Sequence, residues 1–103
     1  MTHNPFLSGL RPTHPGEILR EDVLPALRIS KVKFAAALGL SRQNLYDILN
    51  ERLPITIPTA MRLGKVCGNG PELWLNLQQR WDIAAAEVSM AEELERLPTL
   101  HAA

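Results

Sequence analysis

Residues 30–50 read SKVKFAAALGLSRQNLYDILN. Ser30 and Ser41 each precede a run of helix-forming residues, and a serine in that position accepts a hydrogen bond from an unpaired backbone N–H. Gly39 lies between the two runs and can adopt the positive φ that a tight turn requires. Two short helices joined at a glycine-containing turn are the outline of a helix-turn-helix. The sequence therefore predicts a helix-turn-helix at about 31–50.

Apolar side chains occupy one side of each predicted helix, and the small Ala35 lies where the two helices would cross. The inward residues are Phe34, Leu38, Leu40, Leu45, Ile48 and Leu49. The second helix keeps polar residues on its other side, and arginine can bond guanine while glutamine and asparagine can bond adenine. Recognition helices reach base edges mainly from their first turn. The predicted base-reading residues are Arg42, Gln43, Asn44, Tyr46 and Asp47.

Charge along the chain supports an anionic partner for this region. The whole chain is neutral, with 11 basic and 11 acidic residues, but basic residues dominate 28–65 and acidic residues dominate 66–103. A helix N-terminus and nearby cations can hold phosphate groups. We therefore predict phosphate contacts from four residues, Ser41, Lys31, Lys33 and Arg52. The alternative is an ordinary helical hairpin with a solvated polar surface.

Helix signals continue on both sides of this motif, whereas strand signals are almost absent. Proline and acidic residues after His14 predict a first helix that ends at Pro25, since proline disfavours a helical conformation in the preceding residue. Thr56 and Gly68 bound a fourth helix, and a fifth follows Gly70. We predict an all-α, five-helix domain at 14–88 with a dimerising helix at 71–88. A flexible arm at 1–13 and an acidic helix or tail at 89–103 complete the chain.

Several classes of protein are excluded by composition. The single Cys67 cannot form an intrachain disulfide, and no apolar run is long enough to span a membrane. The N-terminus lacks a signal-peptide pattern, so we expect a cytoplasmic protein. The histidines are scattered, and no arrangement of nucleophile, base or phosphate loop is present. We expect no enzyme activity, metal, cofactor, small-molecule substrate or membrane partner.

The chain resembles the HigA/VapI-type antitoxins, which belong to the lambda-repressor-like helix-turn-helix proteins. The resemblance covers about 14–83 and is carried by HPGEIL at 14–19, by the helix-turn-helix and by PELWLNLQ at 71–78. It implies a homodimer that binds operator DNA, represses its own operon and neutralises a HigB-type mRNA endonuclease toxin. It also implies that 41–44, 46 and 47 face DNA. Many relatives have Asn-Gly where this chain has Asn50-Glu51, and we expect the recognition helix to end at Asn50.

The fifth helix carries more apolar surface than one small core absorbs. Its candidate dimer residues are Leu73, Trp74, Leu77 and Trp81, and tryptophan is enriched at protein interfaces. The alternative is packing within one chain, and both can hold together.

DNA-bound protein would associate with the bacterial nucleoid.

The segment that would contact a toxin is left open by the sequence. Acidic residues at 92–95 alternate with apolar ones and suit either a solvated terminal helix or a surface for a basic toxin. The N-terminal arm is an equal candidate. Two rival functions remain, a stand-alone repressor without a toxin and an interaction module that no longer binds DNA.

Overall fold

The computed structural model describes residues 12–102, and the described chain contains helices and turns without a strand. The helices are α1 at 15–27, α2 Lys31–Leu38, α3 Arg42–Leu49, α4 Ile57–Cys67, α5 Pro71–Ser89 and α6 Ala91–Arg96. The predicted five-helix, all-α fold with a helix-turn-helix is confirmed, and α6 is a short addition after a break at Met90. The predicted arm lies almost wholly outside the described residues.

Short polar side chains begin three of the helices, as the sequence predicts. Ser30 Oγ accepts from the backbone N–H of Lys33 at 3.1 Å, and Thr56 Oγ1 accepts from that of Thr59 at 3.4 Å. Gly39 closes α2 with a φ of 70°. The bonds accepted by the Ser30 and Thr56 hydroxyl oxygens each satisfy a backbone donor that an isolated helix end would leave unpaired. Local chemistry therefore fixes where the helix-turn-helix begins and turns.

Helix α1 does not end at Pro25, so that prediction was wrong. It begins as an α-helix, widens into a π-helical turn at Leu19–Val23 and resumes as an α-helix at Leu24–Leu27. The N–H of Leu24 donates to the carbonyl of Leu19, five residues back. The wide turn precedes Pro25 and places it in the first turn of the resumed helix, where a missing N–H is tolerated. The helix ends instead at Arg28, whose φ is 55°.

One hydrophobic core lies where α1, α2, α3, α4 and α5 meet. Its largest fully buried side chains include Leu19, Phe34, Leu45, Ile48, Leu49, Leu63 and Trp74. Burial of each large apolar side chain contributes about 1.5–3 kcal/mol. The Trp74 indole N–H is also satisfied, since it donates to Asn69 Oδ1 at 3.1 Å. Helices α4 and α5 pack against each other most extensively, and α6 packs chiefly against the end of α5.

The first turn of α1 lies directly against the end of α3. Gly16 is buried, and a Cβ at this position would clash with the carbonyl group of Ile48. Only a residue without a side chain allows the two backbones to come this close. The start of α1 is thereby placed beside the C-terminal end of the second helix of the helix-turn-helix.

His14 is a buried polar residue that joins α1 to α5. It is 3% exposed, and its Nδ1 accepts from the backbone N–H of Gly16 at 2.9 Å. Its ring meets Trp81 edge to face, with the ring centroids 5.1 Å apart. Burial lowers the pKa of His14 from its usual 6.5, although Glu51 and Asp82 oppose that shift and Arg20 adds to it. The neutral ring is therefore the form that caps α1.

We expect acid to destabilise the fold through His14. Because the folded pKa is lowered, the unfolded chain binds the proton more tightly, so the free energy of unfolding falls as the pH drops from 6.5 through the lowered pKa. Urea unfolding between pH 7.5 and 5 measures this slope. The His14→Asn variant keeps a capping acceptor but does not titrate, and we expect a flatter profile. Equal slopes for both proteins would contradict the assignment.

Candidate nucleic-acid interface

Helix α3 presents a polar first turn to solvent. Leu45, Ile48 and Leu49 are fully buried on its other side, and their burial sets its rotation. Arg42 and Gln43 are exposed as a consequence, and so is Asn44. Three of the predicted base-reading side chains therefore lie together at one end of one helix.

The remaining two predicted readers are half-buried and act on their neighbours. Gln43 Nε2 donates to Asp47 Oδ1 at 2.9 Å, one helical turn away. The Lys31 ammonium lies 5.7 Å from the centroid of the Tyr46 ring, within range of a cation–π interaction. Asp47 thus orients Gln43, and the Tyr46 ring lies beside Lys31 of α2.

The predicted phosphate-contacting residues lie on α2 and at the two ends of α3. Ser41 Oγ accepts from the backbone N–H of Asn44 at 3.0 Å, and its hydroxyl hydrogen remains free to donate. Lys33 is exposed on the first turn of α2, and Arg52 is exposed beyond the end of α3. The backbone N–H of Arg52 donates to the carbonyl of Asp47 at 2.8 Å, which fixes this turn. Two of the four predicted phosphate-contacting residues, Lys31 and Lys33, therefore lie on α2, and the other two lie just before and just after α3.

The end of α3 differs in detail from the prediction. The helix stops before Asn50 as expected, but Asn50 has a φ of −88° and the left-handed residue is Glu51, with a φ of 62°. Glu51 Oε2 is 3.3 Å from Arg20 Nη1, which also donates to the carbonyl of Leu49 at 2.6 Å. The glutamate therefore pairs with α1. The sequence gave no signal for this contact of Arg20, because Leu49 and Glu51 lie about thirty positions away.

A second arginine that the sequence did not single out supports α2. Arg62 Nη1 donates to the carbonyl of Leu38 at 2.9 Å and so caps the C-terminal end of that helix. A cation is favourable there because helix C-termini carry partial negative charge. Both helices of the helix-turn-helix are thus closed by an arginine from outside the motif.

The four predicted dimer residues have different environments. Trp74 is 0% exposed and belongs to the core of its own chain, so its assignment to a dimer interface was wrong. The seven-residue spacing from Trp81 hid this difference, since both fall near the core side of α5. Leu73 is 44% exposed, whereas Leu77 and Trp81 are half-buried. An open groove beside Leu73 and Leu77 is completed by polar residues of the same helix.

Comparison with known proteins finds relatives that are similar in sequence over most of this chain. Virulence-associated protein I of Dichelobacter nodosus is 40% identical over 74 residues, which are 72% of this chain and 68% of that protein. Antitoxin HigA-1 of Vibrio cholerae is 34% identical over 73 residues, or 71% and 69% of the two chains. The chain belongs to the HigA/VapI family of helix-turn-helix antitoxins. No protein-family model matches it.

A solved structure extends the comparison to the whole HigA-type domain. The Pseudomonas aeruginosa antitoxin HigA, solved with the higBA promoter, is 34% identical and has a TM-score of 0.83. The match covers 88% of this chain and all of that one. These relatives are named as antitoxins or as a virulence-associated protein, and none is named as an enzyme. No helix among residues 12–102 is long and apolar enough to cross a membrane.

Proposed function

We propose that this HigA-type protein is an antitoxin that binds operator DNA as a homodimer, represses its own operon and neutralises a co-encoded HigB-type toxin. The observation that carries the proposal is the exposed polar first turn of α3, which lies opposite a buried apolar side and belongs to the segment of the chain where basic residues predominate. The promoter-bound HigA relative supports the same use of this fold. The protein would act in the bacterial cytoplasm and on nucleoid DNA when bound.

Base reading is assigned to the first turn of α3. Arg42 is exposed, and a guanidinium can bond both acceptors of a guanine. Gln43 already donates one amide hydrogen to Asp47, which leaves its second hydrogen and its oxygen for an adenine. A side chain oriented before binding loses less conformational freedom when it meets the base. Asn44 and Tyr46 flank these two residues on the same helix.

Contacts with the DNA backbone are assigned to three basic residues and to Ser41. Lys31, Lys33 and Arg52 can neutralise phosphates without reading sequence, and each such contact contributes to salt dependence. The positive charge is concentrated in 28–65, although the complete chain is neutral. The local field, and not the net charge, therefore attracts the duplex.

Substitution separates the two kinds of contact. We expect Arg42→Ala or Gln43→Ala to lose roughly 1–3 kcal/mol of binding free energy on the cognate duplex, and to relax base preference at one position. Lys33→Ala should weaken cognate and scrambled duplexes alike and reduce the salt slope by about one. Fluorescence anisotropy with the upstream DNA of the gene, at several salt concentrations, measures both. Equal losses on both duplexes for Arg42→Ala and Gln43→Ala would rule out direct readout.

Homodimerisation is assigned to the exposed side of α5 around Leu73 and Leu77. An exposed leucine beside an open groove on a long helix suits a two-fold contact, in which the same patch meets itself. Two linked reading heads would address half-sites about one helical turn apart. Trp81 lies at the border between this surface and the core.

We expect Leu73→Lys to convert the dimer to a monomer and to weaken operator binding, because two linked heads bind far better than one. Met61→Lys is the matched control, since Met61 is also exposed but lies on α4. Light scattering after size-exclusion chromatography gives the mass of each variant. A Leu73→Lys dimer as stable as the wild type would contradict this interface.

Toxin neutralisation is supported by the names of the antitoxin relatives. We expect the adjacent reading frame, expressed alone, to arrest growth, and co-expression of this chain to relieve the arrest through a complex recovered by pull-down. A variant truncated after Ser89 tests α6, whose acidic residues and the exposed Leu94 suit a basic partner. If the truncated protein still neutralises, α6 is not the contact, and a variant that lacks the arm is the next test. Operator binding without any toxic neighbour would instead establish a stand-alone repressor.

A further inference from the structure

We propose that Arg20 is a positioning residue for DNA reading, and that it fixes the orientation of α3 by holding the end of that helix from α1. The inference rests on the proposed operator binding. It assigns a role in specificity to a residue outside the helix-turn-helix, in a segment that carries no predicted DNA contact. The juxtaposition that carries it is the guanidinium of Arg20 against the last carbonyl of α3, that of Leu49, and against the side chain of Glu51.

The guanidinium of Arg20 makes three hydrogen bonds, two through Nη1 and one through Nε. Nη1 donates to the carbonyl oxygen of Leu49 at 2.6 Å and to Glu51 Oε2 at 3.3 Å, while Nε donates to Glu21 Oε1 at 2.9 Å. The side chain is only about one-third exposed. A planar fork with several partners has one favoured orientation, whereas a lysine would have many. The contact between α1 and α3 is therefore directional.

The partners of Arg20 are groups that need a cation. The last carbonyls of a helix have no partner within it, and the C-terminus carries about half a negative charge. The backbone of Leu49 belongs to a fully buried residue, so loss of its partner would leave a poorly hydrated acceptor. Arg20 satisfies this acceptor from outside the helix.

Glu51 gives an independent sign that this junction is constrained. Its φ of 62° is a left-handed conformation, which is unfavourable for a residue with a side chain. Such a conformation persists only where surrounding contacts hold it. The bond to Arg20 is one such contact, and the N–H of Glu51 donates to the carbonyl of Ile48 at 3.0 Å. The turn that follows α3, with Arg52 on it, is fixed by the same junction.

The junction lies at the opposite end of α3 from the predicted readers. Eight residues of α-helix span about 12 Å, so a tilt of about 10° at Leu49 would move Arg42 by roughly 2 Å. A hydrogen bond to a base edge does not survive a displacement of that size. The nearby backbone contact of Gly16 with Ile48 makes α1 a firm support for this anchor. Arg20 thus controls base contacts that it does not make.

The test compares Arg20→Ala, Arg20→Lys and Glu51→Gln with the wild type. Glu21→Ala is the matched control, because it removes one bond of Arg20 but leaves those to Leu49 and Glu51. Anisotropy titrations use the upstream duplex and a scrambled duplex at several salt concentrations, after urea unfolding has confirmed that each variant is folded. We expect Arg20→Ala to lose about tenfold on the upstream duplex, the scale of one lost base contact, but little on the scrambled duplex.

Further readouts separate positioning from the other roles of an arginine. We expect an unchanged salt slope for Arg20→Ala, partial recovery of specificity in Arg20→Lys and a smaller loss in Glu51→Gln. Equal loss on both duplexes with the slope reduced by about one would make Arg20 a phosphate contact and overturn the proposal. An unchanged ratio of the two affinities would also overturn it. If Arg20→Ala does not fold, Arg20→Lys and Glu51→Gln decide by the same ratio. Failure of the wild type to prefer its upstream duplex would instead refute the proposed operator binding.

Discussion

The burial of Leu45, Ile48 and Leu49 is the constraint on which the interface depends. These side chains are fully enclosed by the core, so α3 cannot rotate without exposing them. Each outward residue takes its direction from that fixed rotation. Ser41 and Arg20 then act at the two ends of the same helix, one as a local cap and the other from α1. The core determines which side of α3 faces solvent, and the contacts at its two ends limit the tilt of the helix axis.

The local parts of this arrangement are readable from the sequence because they depend on neighbours. Ser30, Ser41 and Gly39 each act within four residues of their own position, so their residue types predict the helix starts and the turn. The exposure of Arg42 and Gln43 follows from the alternation of apolar and polar residues along one helix. This is why the fold, the helix-turn-helix and the polar turn of α3 were all predictable.

The parts that were not predictable depend on contacts between distant residues. The spacing of seven residues places Trp74 and Trp81 on the same face of α5. The packing of the neighbouring helices encloses only Trp74 completely. Pro25 predicts the end of a helix, but the π-helical turn before it accommodates the missing N–H donor and the helix continues. Arg20 has no recognisable motif, since its partners Leu49 and Glu51 lie across the fold. Periodicity gives the side of a helix, whereas tertiary packing gives burial and partnership.

The division of charge along the chain gives the proposed functions separate places. The basic residues of 28–65 lie on α2, α3 and α4 and in the turns beside them, whereas the acidic residues of 66–103 are carried on α5 and α6. Helix α6 packs chiefly against the end of α5 and exposes both its acidic and its apolar side chains. A duplex would be repelled by that end of the molecule, while a basic protein would be attracted to it. The neutral total is therefore the sum of a basic segment, to which DNA binding is assigned, and an acidic segment that suits a partner of opposite charge.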